Sequence, residues 1–239
     1  MSPSDRQVIL ELEHVSHSYR SRRDTFEHGV HHILRDVSLK LYEGETLAII
    51  GRNGAGKTTT LQLMAGILAP SRGVVRRRPG ASASLLSIGL GFRPDLSGRN
   101  NAILAAMLQG ASRRQALAYL DEIKEFSELG DSFEEPVKTY STGMRARLGF
   151  TTALKTHVDI LLIDEILSVG DAAFRSKAEA GMRERIAGEQ TVVFVSHALA
   201  QVRALCDRAV WIEGGAILAE GEVGEVLEKY TDSLSNTAP

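Results

Sequence analysis

This sequence lacks most of the features that would assign a chain to a special class. Its single cysteine excludes a disulfide framework within the chain and fits a reducing compartment. Apolar runs such as Leu47–Ile50 are far shorter than the roughly 20 residues of a membrane-spanning helix. The N-terminus has neither the basic start nor the apolar segment of a signal peptide. We therefore expect a protein that is made and kept in the cytosol.

The charge balance and the length are equally moderate. The chain has 28 basic and 30 acidic residues, and its formal charge of −2 gives no overall field for nucleic acid or an anionic membrane. A chain of 239 residues that is 43% apolar can build a sizeable core. This length favours one elaborated domain, or a core with an inserted subdomain.

Strand patterns flank a helical middle. Continuous apolar runs of four or five residues are typical of strands buried on both faces. The chain has four such candidates: Thr46–Ile50, Asp159–Ile163, Thr191–Val195 and Arg208–Ile212. Between about 95 and 155 the spacing is helical, with one helix predicted over Arg113–Leu129. This order indicates a parallel α/β core that carries a helical insertion. A loop is predicted over 20–32 and a frayed tail over 232–239.

The strongest chemical signal follows the first buried strand. Residues 51–58, Gly-Arg-Asn-Gly-Ala-Gly-Lys-Thr, match a phosphate loop, and the spacing of the next apolar residues predicts a helix. Glycines let consecutive N–H groups face the phosphates, and the helix N-terminus adds a positive end. Lys57 supplies a cation, and the Thr58 hydroxyl can bind Mg²⁺. We expect ATP to contact the residues of this loop: Gly51, Asn53, Gly54, Ala55, Gly56, Lys57, Thr58 and Thr59.

Two further motifs are ambiguous by themselves. Asp164 and Glu165 end a buried strand, where parallel sheets hold a metal, although an acidic turn that caps the next helix fits as well. Ser141 is a good N-cap for the helix that follows it, and such a capped start with small residues also forms an anion site. The residues alone leave both alternatives open.

These motifs, followed by Val195-Ser196-His197 after a later strand, resemble the ATPase subunits of ABC transporters over about residues 8–221. The resemblance implies a single nucleotide-binding domain over 1–239, with an antiparallel β subdomain and an inserted α-helical subdomain. It places the α/β core at about 1–92 and 156–222, the helical subdomain at about 93–155, and a C-terminal tail at 223–239.

The resemblance also implies roles for these residues in a head-to-tail homodimer. Ser141, Thr142 and Gly143 of one subunit contact the γ-phosphate of ATP that the other subunit holds. Asp164 binds Mg²⁺, and Glu165 polarises the attacking water. Three more residues are assigned: the switch histidine His197, Asp171 in the inter-subunit loop, and Tyr19 stacked on adenine.

One element of the family pattern is missing. A glutamine is expected within residues 88–94, but Arg93 stands at about that place. Bound Mg²⁺ is therefore expected to depend on Thr58 and Asp164 alone.

The departures of this sequence from the usual family pattern match one subgroup of the family. Residues 91–100, 126–130, 140–150 and 169–171 look like the ATPases that export capsular polysaccharide, O-antigen or teichoic acid. That resemblance implies a separate integral-membrane permease, a lipid-linked glycan as the transported substrate, and a peripheral position on the cytoplasmic face of the cytoplasmic membrane. Some members carry a carbohydrate-binding domain after the ATPase, for which this chain has no room.

Three alternative functions remain. An ATPase of a drug or lipid exporter is disfavoured by the missing glutamine and the Tyr-Ser-Thr-Gly-Met signature. A soluble ABC ATPase acting on nucleic acid or ribosomes is disfavoured by the single phosphate loop and the absence of a basic footprint. A degenerate binding module is disfavoured because Lys57, Asp164, Glu165 and His197 are all present.

Several other features favour structural roles. The cluster His28, His31 and His32 fits a polar loop better than a metal site. The basic turn Arg76–Arg78 is typical of a solvated edge, with a phosphate or lipid-headgroup contact as the alternative. Cys206 and Trp211 fit apolar packing.

Overall fold

A computed structural model of the protein describes residues 6–20, 30–86, 91–164, 171–186, 188 and 190–235. The chain divides into two compact units, residues 1–81 with 189–239, and residues 82–188. Glu165 and His28 lie outside the described residues.

The first unit contains an antiparallel sheet of strands β1 (Val8–Arg20), β2 (Val30–Tyr42) and β4 (Arg72–Arg77), in the order β2-β1-β4. The β1–β2 ladder continues to the pairs Tyr19↔His31 and Arg20↔Val30. The loop predicted over 20–32 was therefore too long at both ends, because cross-strand pairing extends into its polar residues.

The same unit contains the strand that precedes the phosphate loop. Strand β3 (Thr46–Ile50) pairs in parallel with β7 (Thr191–Val195) and with β8 (Arg208–Glu213), and β9 (Ala216–Glu222) is antiparallel to β8. All residues of β3 and β7 are buried, which confirms the strands predicted from their continuous apolar runs. The described residues of this unit include helices α1 (Lys57–Met64), α7 (Leu199–Leu205) and α8 (Val223–Ser235).

The end of the described chain is more ordered than its polar composition indicates. Helix α8 buries Val226, Leu227 and Tyr230, and the Tyr230 ring packs edge-on against Trp211 with 5.5 Å between centroids. The frayed tail predicted from residue 232 is thus wrong as far as Ser235, because a buried apolar stripe holds the helix. Cys206 is buried as predicted, although it follows α7 in an extended conformation instead of lying in the helix.

Where the second unit is described, it combines the parallel strands β5 (Ala83–Leu86) and β6 (Ile160–Asp164) with five helices. The helices are α2 (Gly98–Leu108), α3 (Arg113–Ala118), α4 (Leu120–Ser127), α5 (Thr142–Lys155) and α6 (Ala172–Ile186). Short 3₁₀ turns at Gly130–Glu134 and Val137–Thr139 lead into α5.

The helix predicted over Arg113–Leu129 is interrupted at Tyr119 and ends at Ser127. It ends because Glu128 adopts a left-handed conformation, with φ of 56°. This unit includes β5, β6 and α6, so it is larger than the helical subdomain predicted over 93–155. The finer division into subdomains stays a prediction.

Candidate nucleotide site

The phosphate loop joins the buried strand β3 to helix α1. Gly51, Gly54 and Gly56 all have positive φ, at 150°, 80° and 104°. A Cβ added at Gly51 would lie 2.0 Å from the Ile212 carbonyl oxygen. Glycine is therefore required at Gly51 both by backbone conformation and by space. The strand, loop and helix predicted for this motif are confirmed.

Helix α1 begins at Lys57 with no side-chain cap at its N-terminus. Its first backbone N–H groups have no partners within the helix, and the helix dipole adds partial positive charge there. Asn53, Gly54 and Thr58 are exposed around this end, whereas Ala55 and Gly56 are buried and Thr59 is half-buried. The loop therefore presents a hydroxyl and backbone N–H groups together, which suits a phosphate ligand.

The Lys57 side chain lies inside its own loop. It is 7% exposed, and its ammonium donates hydrogen bonds to the carbonyl oxygens of Gly51 at 2.8 Å and Arg52 at 3.0 Å. Thr60 Oγ1 donates to the Gly56 carbonyl oxygen at 3.0 Å and fixes the first turn of α1. A cation is thus held within the loop that leads into the uncapped N-terminus of α1.

His197 follows the strand next to β3. Since Ile49 pairs with Val195 in parallel register, Gly51 and His197 each come two residues after these paired positions, at the same edge of the sheet. His197 is exposed, and its carbonyl oxygen accepts a hydrogen bond from Leu199 N at 3.1 Å. The histidine is therefore at the edge from which the phosphate loop starts.

Tyr19 lies on β1 with 44% of its surface exposed. Its ring packs edge-on against His17, with 4.9 Å between centroids. His17 is buried, and its Nδ1 lies 3.1 Å from the carbonyl oxygen of Ala69, which follows α1 in the chain. An exposed aromatic face with a fixed neighbour is available for stacking.

The acidic motif is only partly described. Asp164 is half-buried at the C-terminal end of β6, whose four preceding residues are buried. Glu165 and residues 166–170 are outside the described residues, so the structure does not test their predicted roles. Asp171 is described and directly precedes helix α6, and its Oδ1 accepts a hydrogen bond from Phe174 N at 3.0 Å.

Ser141 forms the predicted N-cap of α5. Its Oγ accepts a hydrogen bond from Met144 N at 3.1 Å, and both Ser141 and Thr142 are exposed. These residues, with Gly143, line an open cavity of about 650 Å³. An exposed, capped helix start within a cavity fits an anion.

Two charged residues that sequence reasoning missed, Glu128 and Arg147, also line this cavity, together with the predicted Asp171. Arg147 contacts Asp171 at 2.5 Å and Glu128 at 3.3 Å, and Lys177 donates to Glu128 at 2.8 Å. The hydrogen bond from the Phe174 amide, and then Arg147, lower the pKa of Asp171 below its usual value. Arg147 thus connects α5 with the start of α6, a contact over 24 residues that local sequence signals do not reveal.

The side chain of Asn101 holds the backbone of the segment around Arg93, the place of the missing glutamine. Asn101 is 1% exposed, its Oδ1 accepts from Arg93 N at 2.7 Å, and its Nδ2 donates to the carbonyl oxygens of Arg93, Leu96 and Ser97 at 3.0–3.1 Å. The Arg93 side chain is exposed.

The basic turn and the histidine cluster, both assigned to structural roles, differ in outcome. Arg76 pairs with Glu13, and Arg78 forms a bidentate pair with Glu43, as expected of a solvated edge. His31 and His32 pair with β1 as part of strand β2, so the polar loop predicted for them is wrong at these two residues. Within the described part of the chain no three His, Cys, Asp or Glu residues are grouped as metal ligands. None of the helices in the described ranges has the length and apolar character to span a membrane.

Comparison with known proteins identifies the relatives of this chain. A family profile described as ABC transporter matches residues 34–168. The O-antigen export system ATP-binding protein RfbB of Klebsiella pneumoniae is 42% identical over 202 residues, which are 84% of this chain and 82% of that protein. The Teichoic acids export ATP-binding protein TagH of Listeria innocua is 42% identical over 83% of this chain and 59% of its own length. For the RfbB protein of Myxococcus xanthus, 42% identical over 90% of this chain, the match covers 49% of the relative.

Solved structures share the fold. An ATP-binding subunit of an ABC transporter superposes with a TM-score of 0.73 at 23% identity, over 93% of each chain. A dimeric ATP-binding cassette in a post-hydrolysis state, bound to ADP and phosphate, gives a TM-score of 0.70 at 21% identity, over 90% of this chain and 99% of that one.

Proposed function

Since this chain belongs to the ABC transporter family of ATPases, we propose that it hydrolyses ATP to drive export of a lipid-linked polysaccharide through a separate membrane permease. The observation that carries the substrate class is the 42% identity with an O-antigen export ATP-binding protein over 84% of the chain. The similar identity to a teichoic acid export protein supports the same class of cargo, an anionic or neutral glycan polymer.

ATP binding begins at the phosphate loop. The β- and γ-phosphates lie against the N–H groups of residues 51–58 and the N-terminus of α1. Lys57 exchanges its carbonyl acceptors for phosphate oxygens, whose negative charge attracts the ammonium more strongly than a neutral carbonyl oxygen does. Tyr19 stacks on the adenine, supported by its exposed face and its contact with His17.

Both residues assigned to magnesium, Thr58 and Asp164, carry oxygen donors. Thr58 supplies an exposed hydroxyl at the start of α1, and Asp164 supplies a carboxylate at the end of β6, and both are hard oxygen ligands. Mg²⁺, when bound, neutralises charge on the β- and γ-phosphates. Arg93 has no oxygen to offer in place of the missing glutamine.

Hydrolysis needs a residue that orients water and a residue that senses the γ-phosphate. Glu165 orients and polarises the attacking water as the general base, and His197 contacts the γ-phosphate from the edge of the sheet next to the loop. His197 follows the strand adjacent to β3, which supports this role.

Coupling to transport requires two copies of the chain. The exposed N-terminus of α5, with Ser141, Thr142 and Gly143, contacts the γ-phosphate held by Lys57 of the partner, and Asp171 belongs to the loop at the same interface. Hydrolysis removes this bridge, so the dimer reopens and moves the attached permease. The protein is accordingly peripheral, bound to the permease on the cytoplasmic face of the cytoplasmic membrane.

The ATPase mechanism is tested by Glu165→Gln. We expect the variant to bind ATP, hydrolyse it at least a hundredfold more slowly than the wild type, and elute as a stable dimer in ATP but not in ADP during gel filtration. Hydrolysis at the wild-type rate would remove Glu165 as the base.

The substrate class is tested in cells. A deletion strain should accumulate polysaccharide inside the cytoplasmic membrane, and the wild-type gene should restore export whereas Glu165→Gln should not. Normal surface glycan with a defect in protein synthesis instead would favour a soluble ATPase that acts on ribosomes.

A further inference from the structure

Tyr140 is a buried anchor directly before the exposed Ser141. Its side chain is 4% exposed and belongs to a core cluster with Phe133 and Leu148. Its hydroxyl donates a hydrogen bond of 2.5 Å to the carbonyl oxygen of Ser132, in the 3₁₀ turn before α5. Burial raises the pKa of this hydroxyl to about 12, so it remains a donor at physiological pH.

Gly98, the first residue of α2, lies against the same hydroxyl. A Cβ added at Gly98 would lie 2.2 Å from the Tyr140 hydroxyl oxygen and 3.0 Å from the Phe133 carbonyl oxygen. The backbone amide of Gly98 also interacts with this oxygen and acts to lower the pKa of Tyr140, against the larger effect of burial. Any larger residue at this position would therefore collide with the phenol.

Backbone hydrogen bonds join the two segments that meet at this point. Gly98 N donates to Glu135 O at 3.1 Å, Val137 N to Leu96 O at 2.9 Å, and Lys138 N to Pro94 O at 2.9 Å. Asn101 fixes the first segment from its other side. Residues 93–101 and 132–140 therefore form one hydrogen-bonded block, which we call the anchor block.

Only one peptide unit separates the anchor block from the group that is assigned to ATP. Tyr140 N donates to Val137 O at 3.0 Å, and Ser141 then caps α5 through Met144 N. An aliphatic side chain would fill the same space, but it would not fix its orientation by hydrogen bonds.

We propose that the Tyr140 hydroxyl is a positioning group that sets the place from which Ser141 and the start of α5 meet the γ-phosphate of the partner subunit. This rests on the proposed function, which gives Ser141 its contact. Tyr140 touches no substrate and acts through Ser141. Its loss weakens closure of the ATP-bound dimer and leaves ATP binding to a single subunit unchanged.

The test uses the full chain with Glu165→Gln, so that ATP is not consumed. Tyr140→Phe removes the hydroxyl and keeps the ring. Its matched control is Tyr119→Phe, the same change at a half-buried tyrosine that packs against the same core cluster. Two quantities are measured for each variant: the affinity of the monomer for ATP, with a fluorescent nucleotide at dilute protein, and the dissociation constant of the ATP-bound dimer, by sedimentation.

We expect Tyr140→Phe to weaken the dimer about tenfold, since two sites each lose a hydrogen bond, while the monomer's ATP affinity stays within twofold. Tyr119→Phe should change neither quantity. If the hydroxyl only stabilised the fold, its loss would reduce the folded fraction, and it would not weaken the dimer while leaving the monomer's ATP affinity unchanged. Equal dimer stability in Tyr140→Phe and the control would overturn the proposal.

Rescue gives a second, independent measurement. Gly98→Ala should weaken the dimer because its methyl group collides with the hydroxyl, and adding Tyr140→Phe should restore part of the loss because the hydroxyl is gone. The proposal is contradicted if the double variant loses at least as much dimer affinity as the two single variants together. If Tyr140→Phe does not fold, a Gly98→Ala variant that keeps the dimer affinity of its parent contradicts the proposal as well.

The same measurements distinguish failure of the proposed function from failure of the proposal for Tyr140. If the Glu165→Gln parent does not dimerise with ATP, or if Ser141→Ala leaves its dimer unchanged, the role of Ser141 is wrong and Tyr140 has nothing to position. If the parent dimerises and Ser141→Ala weakens it while Tyr140→Phe does not, only the present proposal fails.

Discussion

The ammonium nitrogen of Lys57 donates a hydrogen bond of 2.8 Å to the carbonyl oxygen of Gly51, the first residue of the same loop. Two acceptors of this cation, the carbonyl oxygens of Gly51 and Arg52, are neutral, and a phosphate that offers charged oxygens can replace them. This contact links the fold of the loop with its expected ligand.

Lys57→Ala should abolish tight ATP binding, because the loop loses its charge-assisted hydrogen bond to phosphate. A bond of this kind contributes about 1.5–3 kcal/mol, or roughly tenfold to a hundredfold in affinity. The measurement is the rise in Tm caused by Mg-ATP. Lys229→Ala, at an exposed position on α8, is the control and should keep the full shift. Unchanged ATP affinity in Lys57→Ala would mean that the phosphate site is elsewhere.

Alanine substitutions at two glycines of the loop should differ in cost. Gly54→Ala meets no atom within 4 Å, so it should cost about 1–2 kcal/mol for a left-handed backbone alone. Gly51→Ala also collides with the Ile212 carbonyl oxygen and should cost at least about 3 kcal/mol in total. Urea denaturation of both variants measures the difference. Equal midpoints would show that β8 yields at Ile212 without penalty.

Arg208→Ala should destabilise the protein in a pH-dependent manner. Arg208 forms a bidentate pair with Glu45, which is 3% exposed, and it also bonds to Glu220 and to the Lys40 carbonyl oxygen. Burial raises the pKa of Glu45, and Arg208 partly opposes that shift. Without Arg208 a buried carboxylate is left unpaired, at a cost of about 3–5 kcal/mol near pH 7.

The direction in which this stability difference changes with pH follows from proton linkage. A folded-state pKa above the unfolded value gives a contribution to stability that is present at low pH and is lost as the pH rises through the folded pKa. Removal of Arg208 raises the pKa of Glu45 further. The stability gap between wild type and variant should therefore widen as the pH rises from about 4 to 7. Arg78→Ala, which breaks an exposed pair with Glu43, is the control and should cost less than about 1 kcal/mol. A gap that narrows with rising pH would refute the assignment to Glu45.

Cys206 should be inert to thiol reagents in the folded protein. Its side chain is buried, and burial raises the pKa of its thiol to about 12, so the nucleophilic thiolate is scarce at pH 8. Absorbance after addition of an aromatic disulfide should show no fast labelling in buffer and one thiol per chain in denaturant. Rapid labelling of the native protein would indicate an accessible, activated cysteine.

Several elements could be predicted because their signals are local. The strand, glycine loop and helix at 46–64 are predicted by a run of apolar residues, a glycine-rich segment and an amphipathic segment that follow one another. The Ser141 cap is predicted by one hydroxyl residue directly before a helix. The strand at Thr191–Val195 was predicted with the bounds that the structure gives. Local chemistry decides each of these.

Other features could not be predicted, since their causes are distant in the chain. Tyr19↔His31 pairing lengthens a hairpin through residues whose polarity indicates a loop, and burial of Tyr230 against Trp211 orders a helix where composition indicates a tail. The Arg147–Asp171 pair and the contact of Tyr140 with Gly98 join residues 24 and 42 positions apart. No spacing pattern in a single sequence reports such pairs.

The sequence by itself determined the chemistry of this protein: a phosphate loop, an acidic strand end and a capped helix start, in the order of an ABC ATPase. The tertiary structure decided how those groups are held. Burial places the Tyr140 hydroxyl between Ser132 and Gly98, and the neutral acceptors of its own loop hold Lys57. Residue identity fixes which interactions a group can make, whereas only packing fixes which partner is within reach.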